Sequence, residues 1–171
     1  YRGIAWKILR DGIDLENEDA LAHLIATTVI TMDEGQLYLD GFKLTEEIRT
    51  PEVSVWASRI AKIPNIRRFL VRKQQEISKS QSVVMDGRDI GTFVLPNADV
   101  KFFLTASIHQ RALRRYEELR QKGIDVKIEN LQEEIRTRDN ADATRKFAPL
   151  RQAKDAILID TTDKSIEEVI C

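Results

Sequence analysis

Apolar positions recur along this chain at helical spacing first and strand spacing later. Over Tyr1 to Leu9, Ile4, Ala5, Ile8 and Leu9 make one face of a helix that Asp11-Gly12 stops. Glu18 to Ala26 reads as a second short helix. Thr28 to Thr31 is rich in β-formers, Asp33-Glu34-Gly35 is a turn, and Gln36 to Leu39 alternates. Together they predict a hairpin, after which Asp40-Gly41 turns the chain again. Thr50-Pro51 pairs a capping hydroxyl with the proline that suits the first helical position, opening a helix to about Lys62. Pro64 starts another through Ile77. Ser82 to Met85 reads as a short buried strand, Val100 to Leu104 as a second and Ala156 to Asp160 as a third. Ser107 caps a long charged helix to about Lys122, ended by Gly123. Leu131 to Arg138 reads as a helical turn or two, and Ser165 caps a short terminal helix.

Short apolar strands separated by long helical patterns predict an α/β fold, a parallel sheet with covering helices. The hairpin and helix pair over 28–77 are too large for a simple connection and read as an inserted subdomain. Trp6, Trp56, Tyr38, Phe42, Phe102 and Phe103 are expected in the core or in subdomain packing, and His23 and His109 have no partner pattern.

Composition narrows the function classes. The chain has 171 residues, enough for one domain with a proper core. Its net charge of -1 gives no global attraction to nucleic acid or to an anionic membrane. The single cysteine, Cys171, makes no internal disulfide and excludes a zinc site built on several cysteines, which fits a reducing compartment. No apolar run reaches membrane-spanning length. No signal peptide is visible, and the start Tyr1-Arg2-Gly3 reads as a piece whose N-terminus lies elsewhere.

The charged residues fall into groups. In Asp86-Gly87-Arg88-Asp89-Ile90-Gly91-Thr92, an arginine flanked by carboxylates follows the expected strand. Ligands of open α/β sheets bind beyond the carboxyl ends of strands, and an arginine there can fork onto a phosphate. The plainer alternative is a surface turn with an ion pair. Arg138, Asp142 and Arg145 recur at helical spacing and share one face, alternatively a solvated face with an i,i+4 pair. Arg111, Arg114 and Arg115 lie on the helix after Ser107, balanced by Glu117 and Glu118. Arg67-Arg68 with Arg72 and Lys73 form a basic stripe, and Arg2 stands at the start. So many fixed positive charges suit phosphoryl transfer, which needs electrostatic stabilisation of the migrating group, with Mg²⁺, more than covalent chemistry.

In this setting the chain resembles the bacterial cytidylate kinases, nucleoside monophosphate kinases of the P-loop class. The resemblance covers essentially the whole chain. It is carried by Tyr1-Arg2, Glu47-Ile48-Arg49-Thr50-Pro51-Glu52-Val53, the Ser58 to Arg67 stretch with Ile63-Pro64, and Asp86 to Thr92. It continues in Phe103-Leu104-Thr105-Ala106-Ser107, Arg138-Asp139 with Asp142 and Arg145, Ala148-Pro149-Leu150, Ala153-Lys154-Asp155-Ala156 and Ile159-Asp160-Thr161-Thr162.

The resemblance implies a P-loop kinase sheet with a monophosphate-binding insert at 28–77 and a helical lid at 120–147. It implies a soluble, cytoplasmic, monomeric enzyme that phosphorylates CMP and dCMP to CDP and dCDP with ATP and Mg²⁺. By the same resemblance Ser58, Arg67 and Asp89 match positions that read cytosine, and Arg2 and Arg88 match those that clamp the acceptor phosphate. Arg138 and Asp142 match residues near sugar and phosphate, Arg145 a lid arginine, and Arg114 a donor-side residue for ATP. Structural alternatives stand beside these roles: a helix-packing Ser58, a solvated Arg67, an Asp89 that only orients Arg88, and a Thr92 that caps the following segment. The chain starts at the Tyr-Arg that ends the family's N-terminal segment and carries no Gly-x-x-x-x-Gly-Lys-Ser/Thr loop. A chain of just these residues is therefore expected to bind the acceptor without transferring phosphate. Ala141 stands where many relatives carry a basic residue. Three rivals follow: a non-catalytic nucleotide-binding fragment, a related kinase preferring UMP, and an RNA-binding module built on Arg67, Arg68, Arg72 and Arg111 to Arg115. Net charge disfavours the last.

Overall fold

The computed structural model describes residues 1–33 and 35–170, so Glu34 of the expected turn and the lone Cys171 lie outside the described residues. The chain divides into two compact units, 1–84 and 85–171.

The first unit begins with α1 (Arg2–Asp11), which buries Ile4, Ala5 and Ile8 as its spacing predicts. Gly3 on the same helix faces Leu44, and a Cβ there would lie 3.0 Å from the leucine methyl. α2 (Glu18–Thr27) starts where the Asn17 side chain accepts from the Ala20 amide, with Glu18 and Asp19 at its positive end. β1 (Ile30–Asp33) and β2 (Gln36–Leu39) form the expected hairpin, Ile30 opposite Leu39 and Asp33 opposite Gln36. Asp40 (φ 51°) and Gly41 (φ 82°) then make a tight turn with both central residues left-handed, and β3 (Phe42–Lys43) pairs back onto β2. Two residues are too few to show a period, so β3 is absent from the sequence reading. The Thr50 hydroxyl accepts from the Val53 amide at 3.2 Å and starts α3 (Pro51–Ile60). α4 (Pro64–Ser80) follows, three residues longer than its periodicity predicts. Ile4, Ile8, Leu24, Leu39, Ile60 and Ile66 are fully buried in one core, and Trp6 and Trp56 pack against it. Phe42 is a correction: it is exposed, because β3 forms an edge.

The expected strand at 82–85 does not form. A strand exists only when its backbone is paired, and no described strand pairs with these residues. Val84 is fully exposed rather than buried. In the second unit the chain makes a π-helical turn over Ile90–Val94, closed by the Leu95 amide on the Ile90 carbonyl at 2.7 Å. β4 (Phe102–Thr105) leads into α5 (Ile108–Gln121), capped by Ser107. α6 (Ile128–Thr144) follows, then β5 (Ile157–Asp160) and α7 (Ile166–Ile170), which Ser165 caps.

β4 and β5 pair in parallel, Phe102 with Ile157 and Thr105 with Asp160. The helix pair α5–α6 supplies the long crossover that parallel strands require. The architecture is thus α/β with a parallel sheet, as expected. α6 is about twice the predicted length. Its N-terminal half packs Leu131 and Ile135 against Leu119, Ala112 and Tyr116 of α5, while its C-terminal half has no apolar period and is held by charge. The strands correct a second expectation: Phe102, Leu104, Ile157 and Leu158 are more than half exposed, because no described element covers those faces.

Candidate functional site

In the second unit four charged side chains from separate segments converge. Arg88 and Asp89 lie just before the π-helical turn, Asp142 on the last turn of α6, and Arg145 at its C-terminal cap. Arg88 Nε lies 3.2 Å from Asp142 Oδ2. Arg145 bridges both carboxylates, at 3.5 Å to Asp89 Oδ1 and 3.6 Å to Asp142 Oδ1. Asp89 is 7% exposed, so its charge sits where water screens it little. A positive charge placed there is the compensation burial demands.

Local backbone makes this possible. After α6, Arg145 adopts an extended conformation and Ala148 a left-handed one (φ 48°), which folds the chain back. The Leu150 amide then donates to the Asp142 carbonyl at 2.8 Å, and Arg145 Nε donates to the Ala148 carbonyl. Phe147 packs edge-on against Phe93 of the π-helical turn, centroids 4.7 Å apart, which ties this return to the Arg88–Asp89 segment.

Asp89 therefore orients Arg145 and not Arg88, whose carboxylate partner is Asp142. Arg145 lies beyond the helix, so it does not share a helical face with Arg138 as the spacing suggests; Arg138 is on the exposed side of α6. Thr92 donates to the Asp89 carbonyl at 3.4 Å, a local brace rather than a cap.

The donor-side candidate, Arg114 on α5, donates to Thr161 through both its hydroxyl, at 3.2 Å, and its carbonyl, and to the Lys164 carbonyl at 3.3 Å. The Thr161 hydroxyl in turn donates to the Thr105 carbonyl at 3.0 Å, so this arginine is anchored where β4 and β5 end. Arg111 joins α5 to α6 through Asp139 at 2.6 Å. Sequence reasoning placed Thr161 and Asp139 in resembling segments but gave neither its arginine partner, because those partners are distant in the chain.

In the first unit Arg2 Nη1 donates to the Ile48 carbonyl at 3.0 Å and to the Ser54 hydroxyl at 2.9 Å. Ser58 donates to the Ser54 carbonyl at 3.2 Å. Arg67 is 3% exposed and donates to the Ala61 carbonyl at 3.3 Å, which overturns the solvated reading of this residue. Ser54 went unnoticed, although Thr50, Ser54 and Ser58 recur every fourth residue and so lie on one face.

A cleft of about 520 Å³ in the second unit, lined by Gly91, Thr92, Phe93, Lys101, Ala148 and Asp155 among others, holds none of the charged site residues. Chemistry, not concavity, marks the site. Among the described residues no cluster of three His, Cys, Asp or Glu side chains is placed to hold a metal, and no helix is long and apolar enough to cross a membrane.

A family model described as cytidylate kinase matches residues 1–171. The cytidylate kinase of Alkaliphilus oremlandii is 49% identical over 170 residues, covering 99% of this chain and 78% of that protein. That of Caldanaerobacter subterraneus subsp. tengcongensis is 50% identical over 170 residues, 99% of this chain and 76% of that protein. That of Bacillus subtilis is 49% identical over 173 residues, with 99% and 77% covered.

Proposed function

We propose, since the chain belongs to the cytidylate kinase family, that the intact protein catalyses ATP-dependent phosphorylation of CMP and dCMP to CDP and dCDP. The class is a phosphotransferase, with a phosphate group as acceptor. The observation that carries the reading on the structural side is the Arg88–Asp142–Arg145–Asp89 cluster. Two forked cations are held by two carboxylates at defined positions, so little reorganisation is needed when a phosphate arrives.

The roles are those that the resemblance implies for each matching residue. Arg88 donates to the acceptor phosphate, and Arg2 takes the same role in the first unit. Asp142 accepts from a ribose hydroxyl, with Arg138 beside the sugar and phosphate. By the resemblance, Asp89 accepts from the exocyclic amine of cytosine, and Ser58 and Arg67 of the first unit match base-reading positions. Uracil reverses the hydrogen-bonding pattern at position 4 and leaves the acceptors unpaired, which discriminates strongly. Arg145 stabilises charge on the migrating phosphoryl group, and Arg114 serves ATP. Mg²⁺, when bound, would neutralise phosphate charge; it is a hard cation that suits phosphate oxygens. We read 28–77 as the monophosphate-binding insert and 120–147 as the lid, in a monomeric cytoplasmic enzyme.

The test is a coupled ADP-release assay on the full-length protein with ATP, Mg²⁺ and either CMP, dCMP or UMP. Turnover with CMP and dCMP far above UMP is the expected result. No turnover with CMP, or a preference for UMP, overturns the proposal.

A further inference from the structure

Ser54 occupies a junction between two of the acceptor-side residues. Its hydroxyl has one proton, which it donates to the Thr50 carbonyl at 2.9 Å. The oxygen lone pairs are thereby turned outward, and one accepts from Arg2 Nη1 at 2.9 Å. One turn on, the Ser58 hydroxyl donates to the carbonyl of the same residue at 3.2 Å. Both bonds that Arg2 makes use Nη1, the second going to the Ile48 carbonyl. Among the described residues the Nε–Nη2 edge of the guanidinium therefore makes no hydrogen bond, and this edge is the one a phosphate can engage with two parallel bonds. Arg2 is itself exposed on α1, so without an anchor its long side chain samples many rotamers.

We infer that Ser54 is a positioning residue of the acceptor site: its hydroxyl holds the Nη1 end of Arg2 so that the opposite edge is presented to the nucleoside monophosphate. The inference rests on the proposed role of Arg2 as a phosphate ligand. Ser54 touches no substrate atom. It acts by limiting the freedom of a cation that does, and its loss shows in acceptor affinity rather than in the chemical step.

The experiment compares steady-state kinetics of the full-length enzyme and its Ser54→Ala, Ser54→Thr, Arg2→Ala and Ser54→Ala/Arg2→Ala variants, with CMP and ATP varied separately. Circular dichroism melts verify that each variant folds. Ser54→Ala is expected to raise KM for CMP about three- to tenfold, the size of one lost hydrogen bond, with kcat and KM for ATP changed less than about twofold. Ser54→Thr, which keeps the hydroxyl, restores the parent KM. In the Arg2→Ala background Ser54→Ala has no further effect, since there is nothing left to position. If Arg2→Ala raises KM for CMP but Ser54→Ala does not, or if the two effects add, the inference about Ser54 fails while the site reading survives. If Arg2→Ala leaves KM for CMP unchanged, the reading of Arg2 itself fails, and the role of Ser54 with it.

Discussion

Arg88 and Asp142 meet at 3.2 Å although one precedes the π-helical turn and the other ends α6. Asp142 also faces Arg145, and its backbone carbonyl anchors the return of the chain at Leu150. One carboxylate thus sets the direction of two arginines.

Asp142→Ala frees Arg88 and Arg145 together. Both contacts are ion pairs, at 3.2 and 3.6 Å, in a partly buried setting where removing the carboxylate leaves two cations without their partner. A loss in kcat/KM for CMP of about 10- to 100-fold is expected, measured in the coupled assay. An unchanged kcat/KM would mean that the arginines are directed by other groups.

Asp89→Asn tests base selection. The amide keeps the shape but offers its NH₂ where cytosine also offers an amine, and it gives up the charge that Arg145 bridges. The kcat/KM for CMP falls about 10- to 100-fold while that for UMP changes less, so the preference ratio narrows. A ratio equal to that of the parent enzyme counts against Asp89 as a base reader.

Lys101 joins the start of β4 to the segment before β5. Its side chain is 6% exposed and donates to Asp155, which is 65% exposed, at 2.6 Å and to the Pro96 carbonyl. Lys101→Met keeps the apolar stem and removes the charge. It is expected to cost about 1–3 kcal/mol in urea titration, because the Pro96 carbonyl is left without its donor. In that variant the exposed Asp155 carboxylate recovers its hydration, whereas Asp155→Ala leaves the buried Lys101 ammonium without its counter-charge and is expected to cost at least as much.

Asp40 gives a pH signature in the first unit. Burial favours its neutral form, but the Lys7 ammonium at 2.7 Å and the Val29 amide at 2.8 Å outweigh this and hold its pKa below the ordinary 3.8. A depressed carboxylate pKa contributes stability that is fully present above the unfolded value and is lost as pH falls through the folded one. The difference in stability between the parent and Asp40→Asn should therefore be constant from pH 5 to 8 and shrink below about pH 4. A gap that persists undiminished at pH 2 would place the contribution in packing rather than in charge.

Thr50→Ala removes the cap of α3, whose hydroxyl accepts from the Val53 amide. A cost of about 1 kcal/mol is expected, a fall in Tm of about 2–4 °C. A Tm equal to that of the parent would show that water replaces the cap.

Local signals along the chain determined the helices and their starts. Thr50-Pro51, Ser107 and Ser165 cap where their side-chain chemistry says they should, because a cap depends on four consecutive residues and little else. The hairpin over Ile30 to Leu39 was equally legible, since alternation and turn residues are local. The fate of 82–85 was not: an apolar run becomes a strand only if another strand lies beside it, and that is a property of the fold. The sequence also marked Arg88, Asp89, Asp142 and Arg145 as charged residues of interest. Which carboxylate serves which arginine was decided only by tertiary structure. Arg88 pairs with Asp142 and not with its neighbour Asp89, because the left-handed turn at Ala148 and the Phe93–Phe147 contact bring the end of α6 back to the π-helical turn. Coulomb attraction acts through distance in space, and separation along the chain sets no limit on it.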